Sequence, residues 1–218
     1  MTRGSKVRFA AHYRESDGIA QSLEDHLEDC STLASAFAGK IGLSSFGELI
    51  GLLHDIGKYT DVFQAYLMSA VGKLNPDDDE YVDAKGMKGK IDHSSAGAQY
   101  VWESLQKKDH LRRIAGQIMS LCIASHHSGL MDCLSPDGMD VFSKRMAKTK
   151  DKTHLEEARI KIDASIQCHA NELLASTTIE NELRHRLESL WRDMPSPDIC
   201  AFRLGLLVRF VFSALSDA

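Results

Sequence analysis

Proline is scarce in this chain, four residues among 218, and aromatic residues make up only 7%. Long stretches therefore lack the residue that breaks the helical hydrogen-bond ladder. Alternation of apolar and polar residues is hard to find as well, which leaves little signal for strands. The sequence predicts an all-α fold. No uninterrupted apolar run reaches ~18 residues, so no membrane span is expected. The start, Met1-Thr2-Arg3-Gly4-Ser5, lacks the apolar core of a signal peptide. Cys-x-x-Cys pairs are missing: Cys30, Cys122, Cys133, Cys168 and Cys200 are scattered. That argues against a disulfide framework or a zinc knuckle and fits ordinary thiols in a reducing, cytoplasmic setting. An excess of positive charge is lacking too, since the formal net charge is −5. A nucleic-acid substrate would have to be attracted by bound metal and local basic patches.

What is present is helix-forming and apolar, 43% hydrophobic, enough for one domain spanning residues 1–218. Residues 1–20 read as a lead-in with no assigned structure. Ser22 followed by Asp25 resembles a capping box opening a helix with Leu23, Leu27, Cys30, Ala34 and Phe37 on one stripe. Gly39 and Gly42 suit its end. Ser44-Ser45 open a helix that is apolar nearly all round, through Phe46, Leu49, Ile50, Leu52, Leu53 and Ile56. Thr60 caps a short one. Residues 72–92, with Asp77-Asp78-Asp79-Glu80 and then Lys85, Lys88 and Lys90, read as a long surface loop. Helices are expected from Asp92 to Leu105 and from Leu111 to Ser125. Two amphipathic helices follow, Glu156–Leu174 and Ile179–Trp191. After Met194-Pro195-Ser196-Pro197, Asp198 is expected to cap a last helix, Ile199–Leu215.

Chemistry-bearing residues recur where apolar helices stop: His54-Asp55, His93, His126-His127 and Asp217, with His26 beside the first apolar stripe. A helical bundle can bring such positions into one central pocket. A lone histidine near an apolar face is more often a hydrogen-bonded core residue, but five of the ten histidines in four such places argue for a shared centre. Seven ligands exceed the four of a tetrahedral zinc and fit two divalent ions sharing a carboxylate. Imidazole with carboxylate admits Mn, Ni, Co or Fe, with Mg a poorer fit. The remaining histidines, His12, His110, His154, His169 and His185, sit in polar surroundings and read as surface residues. Gly51 to Lys58 imitates a phosphate-binding loop, but five residues separate Gly51 from Gly57 and Tyr59 stands where Ser or Thr is needed. No Gly-x-Ser-x-Gly elbow occurs. Lys144, Arg145 and Lys148, in a basic run extending to Lys152, are the local candidates for nucleic-acid contact, against the plainer reading of a solvated face.

The order His26 … Leu52-Leu53-His54-Asp55-Ile56-Gly57-Lys58 … Phe63-x-x-Tyr66-Leu67 … Asp92-His93-Ser94-x-x-Gly97-Ala98 … Ile123-x-x-His126-His127-x-Gly129-Leu130 … Arg209-x-x-Phe212-Ser213-x-Leu215-x-Asp217-Ala218 resembles the HD nuclease domain of the CRISPR type I helicase–nuclease. The His-Asp pair alone marks the broad HD superfamily; the His126-His127 pair and the terminal motif narrow it. The resemblance implies an all-α HD bundle with a central divalent-metal site and cleavage of single-stranded DNA in CRISPR interference, endonucleolytic with exonucleolytic cutting as an additional mode. It implies a superfamily 2 helicase, fused or separate, and the RNA-guided Cascade complex as partners. An end so soon after an apolar helix is expected of a domain that belongs with a downstream helicase. Carried residue by residue, Asp55 would bridge both ions, His54, His26 and Asp217 would complete one site, and His93, His126 and His127 the other. Lys58 would assist electrostatically at the scissile phosphate, and Ser94 and Ser128 would touch a phosphate oxygen or orient a ligand. Two other readings stand beside it: an HD phosphohydrolase acting on nucleotides or cyclic nucleotides, and a helical docking module with structural histidines.

Overall fold

The computed structural model describes residues 7–14, 18–74, 91–193 and 196–218. Ser22 opens the first helix, its hydroxyl accepting from the Asp25 amide. Helix α1, Leu23–Gly39, buries Leu23, Leu27, Cys30 and Ala34. A short connection through Gly42, held in the left-handed region at φ 70°, returns the chain into α2, Ser44–Leu53. α2 is enclosed on most sides, as its composition predicts, with Phe46, Leu49, Ile50 and Leu53 at 0% exposure. A Cβ on Gly51 would stand 2.5 Å from Ser31 Cα, and the Ser31 hydroxyl donates to Glu48 O at 3.0 Å. α1 and α2 thus form a tight antiparallel hairpin in one register.

A 3-10 turn, Ile56–Tyr59, leads to α3, Asp61–Ala70. α4, Ser94–Leu105, and α5, His110–Ser125, make a second antiparallel hairpin, pinned where the Ser120 hydroxyl donates to Ala98 O at 2.9 Å. Short helices α6, Val141–Met146, α7, Lys150–Thr153, and α8, Leu155–Lys161, wrap this pair. α9, Ala164–Ala175, α10, Thr178–Leu190, and α11, Pro197–Ser216, cover the first. Their buried apolar faces join one hydrophobic cluster.

The structure corrects several boundaries. Part of the lead-in forms an antiparallel hairpin, β1, Ala10–Tyr13, with β2, Ala20–Ser22. These strands are too short for alternation to show. The helix expected over 156–174 is two helices, because the Asp163 side chain caps α9 by accepting from the Ser165 amide at 2.8 Å. α11 begins at Pro197 behind Ser196, so Asp198 lies in its first turn instead of capping it. Thr60 precedes α3 without a side-chain cap and donates to Gly57 O instead. The loop residues 75–90, with Lys85, Lys88 and Lys90, lie outside the described residues. By length and composition alone α11 is long and apolar enough to cross a membrane, although Arg203 and Arg209 interrupt its apolar run. One of its faces, through Leu207, Val211, Ala214 and Leu215, belongs to the core. Ile199, Phe202 and Phe210 stay exposed on the other.

Candidate metal centre

Each hairpin register, carried on by a turn or so, delivers part of the site. The register that sets Ser31 against Gly51 brings His26 opposite Asp55; the one that sets Ala98 against Ser120 brings His93 opposite His126. The two hairpins meet at Gly57. A Cβ there would stand 2.2 Å from His93 O, so only glycine admits this approach.

Asp55 is 1% exposed at the meeting point. Its Oδ2 lies 3.2 Å from His26 Nε2, 3.2 Å from His54 Nε2 and 2.7 Å from Lys58 Nζ. Its Oδ1 lies 3.3 Å from His126 Nε2, 3.5 Å from His93 Nε2 and 3.9 Å from His127 Nε2. One carboxylate therefore faces two sets of imidazoles, one with each oxygen.

Backbone contacts fix the rings. Nδ1 of His54 donates to Gly51 O at 2.8 Å, Nδ1 of His126 to Ile123 O at 2.7 Å, and Nδ1 of His93 to Ile91 O at 3.3 Å. A carbonyl only accepts, so these nitrogens carry the proton, and Nε2 of a neutral ring presents a lone pair. Asp55 Oδ1, His93 Nε2 and His126 Nε2 are buried with no hydrogen-bond partner. Acceptors aimed at one another in a buried space repel unless a cation lies among them. The donor set thus fits a divalent ion of borderline hardness.

Burial raises the pKa of Asp55, but its surroundings outweigh it, with the Lys58 ammonium at 2.7 Å and the hydrogen bond from His26, and hold the carboxyl well below its usual range. Burial lowers His54 and His93. Partial burial lowers His26 too, yet its hydrogen bonds to Asp55 and Cys30 raise it to about 9. Its proton and the Lys58 ammonium supply positive charge beside Asp55.

The chain matches the family described as "Cas3, HD domain" over residues 7–195. It belongs to the Cas3 HD family. A comparison with curated proteins found no match. Membership makes this Cas3 HD domain a metal-dependent hydrolase of the nuclease and phosphohydrolase class in CRISPR systems.

Six of the seven expected ligands come together: His26, His54, Asp55, His93, His126 and His127. Asp217 does not. It is exposed at the end of α11, beyond the matched span, and its carboxylate accepts from Ser213 at 3.4 Å. Its neighbours Ser216 and Ala218 do line the 520 Å³ cavity that opens onto His26, His54, Asp55, Lys58 and His126. Lys58 is turned inward, onto Asp55 and the Ala11 carbonyl. Ser94 is buried and accepts from Arg145 at 2.9 Å; Ser128 is exposed. Arg145 also bonds Ser95, and Lys148 pairs with Asp92, so these cations brace the residues around His93 and are not free for a substrate. Lys144 is exposed, its ammonium near Met139 Sδ. Two cavity residues were read from sequence as unremarkable: Cys30, and His12 on β1, whose ring lies 5.9 Å from that of His26. Cys30 carried a signal, since it is four residues past His26 on one helical face.

Proposed function

We propose that this Cas3 HD domain hydrolyses phosphodiester bonds of single-stranded DNA, with two divalent ions held on either side of Asp55. The observation that supports it is the single buried carboxylate whose two oxygens face separate imidazole sets. Bound divalent ions supply Lewis-acid polarisation of the phosphoryl group and a water acidic enough to attack near neutral pH. The protein's own residues do the positioning. Asp55 is shared, His26 and His54 serve its Oδ2 side, and His93, His126 and His127 serve its Oδ1 side. Backbone carbonyls hold three of these rings at fixed angles, so little reorganisation accompanies binding. Lys58 lines the cavity and adds positive charge where a phosphate approaches. The reading rests on six ligands; Asp217 joins them only if its carboxylate leaves Ser213, which the metal content of Asp217→Asn measures.

A single strand bends into a cavity that a rigid duplex does not enter. Delivery of that strand is the role proposed for a superfamily 2 helicase, fused or separate, recruited by an RNA-guided Cascade complex. The test is cleavage of circular single-stranded DNA by metal-stripped protein resupplied with Mn, Ni, Co, Fe or Mg. Restored cutting that Asp55→Ala lacks is the expected result, and undiminished cutting by Asp55→Ala would sink it. The cavity volume also lies within the ~300–1,000 Å³ of small-ligand pockets. Hydrolysis of nucleotides or cyclic nucleotides with the circle left intact would move the substrate to that class.

A further inference from the structure

We infer that Cys30 is a ligand of the metal centre on the Oδ2 side of Asp55, so that this side takes a thiolate-compatible, softer ion than imidazole and carboxylate alone would select. The inference rests on the metal-centre reading above and adds a donor to it.

His26 and Cys30 are four residues apart on α1 and share a face. Cys30 Sγ lies 3.7 Å from His26 Nδ1 and 4.0 Å from His26 Nε2. One donor atom from each of His26, Cys30 and His54 lies within 4.8 Å of the others. Asp55 Oδ2 is 3.2 Å from Nε2 of both histidines. A tetrahedral zinc, with bonds of about 2.3 Å to sulfur and about 2.0–2.1 Å to nitrogen, sets donor–donor edges of roughly 3.3–3.6 Å. The three edges measured at these Nε2 atoms, 3.2, 3.2 and 4.0 Å, lie within about half an ångström of that range. Lys58 takes one lone pair of Oδ2, and a carboxylate oxygen has a second for an ion.

Cys30 is 7% exposed and lines the cavity, unlike Cys122, which is shut in the core at 0%. Binding an ion replaces the thiol proton with the metal; the proton leaves to solvent and no electron is transferred. Asp217 is turned to Ser213, and the ring of His12, also on this cavity, lies 5.9 Å from that of His26, whereas Cys30 offers a donor within 4.8 Å of both histidines. Thiolate shifts preference toward Zn and away from Mg, which oxygen-rich sites favour.

The test is a cobalt titration of the reduced, metal-stripped protein followed by absorption. The expected result is visible cobalt bands together with a near-ultraviolet sulfur-to-cobalt charge-transfer band. That band is lost in Cys30→Ser and kept in Cys168→Ser. Cobalt bands without charge transfer would overturn the role of Cys30 while leaving the histidine–aspartate centre intact, and so would a band that survives Cys30→Ser. No cobalt binding at all would overturn the centre itself. Should Cys30→Ser fail to fold, alkylation of the unaltered protein decides. Zinc should shield Cys30 from iodoacetamide when mapped by mass spectrometry, and equal labelling with and without zinc would overturn the assignment.

Discussion

Asp55 concentrates the electrostatics of this molecule on one side chain. In the metal-stripped protein it is the counter-ion of Lys58 and of protonated His26. Removing one partner of a buried pair leaves the other uncompensated, at about 3–5 kcal/mol. Asp55→Ala should lower the stability of the stripped protein by that order in urea titrations, and should also abolish metal uptake. The histidines predict a pH profile for the same stripped protein. His54 and His93 titrate below 6.5, so the unfolded chain takes up their protons first, and stability falls as pH drops below about 6.5. His26 is raised to about 9; its contribution is complete below 6.5 and is lost as pH rises through 9. Melting temperature in chelator should therefore peak near pH 6.5, and a monotonic rise into the alkaline range would contradict these shifts. At this scale the sequence was partly legible. His-Asp and His-His pairs ending apolar helices announce themselves locally. The pairing of Lys148 with Asp92 spans 56 positions, and nothing near either residue signals it. Asp217 sits where the terminal motif suggests, but its side chain bonds one turn back along its own helix.

At the scale of elements, helices were readable because their apolar stripes and caps are local. The β1–β2 hairpin was not, since strands of four and three residues carry too few positions to establish alternation. The break at Ile162-Asp163 was in the sequence as a capping aspartate, overridden by apolar spacing that continued across it. α6 has a task that its composition disguised. Its Arg145 donates to Ser94 and Ser95 at the start of α4 and pairs with Asp92, so it braces the backbone carrying His93. Loss of such outer partners weakens metal binding by about 10–100-fold. Arg145→Ala should show a drop of that size in equilibrium dialysis while Lys144→Ala binds as the parent does. Equal losses in both would return the cluster to a general electrostatic role.

For the whole molecule, the centre lies where both helical hairpins meet, so an ion bound there holds the two halves together. Free metal at about a thousandfold over its dissociation constant adds about 4 kcal/mol to unfolding. Chelation should therefore lower the melting temperature by several degrees, and resupply should restore it. No change with chelator would favour the docking-module reading. The overall charge of −5 gives DNA no broad attraction, so the proposed DNA substrate would have to be held at the cavity.

The two registers that build the centre also give it an order in time. His26, Cys30, His54 and Asp55 all belong to one hairpin closed by a short connection, while His93 and His126 must arrive from a second, later stretch of chain. Contacts close in sequence form early, because short loops cost little entropy to close. If these residues are the proposed ligands, a chain folding in the presence of metal meets one complete donor set before the other exists. In refolding with cobalt, visible absorption should rise before near-ultraviolet circular dichroism reports finished packing. On the proposed ligand sets the ion would act as a seed of folding, acquired on the way to the native state.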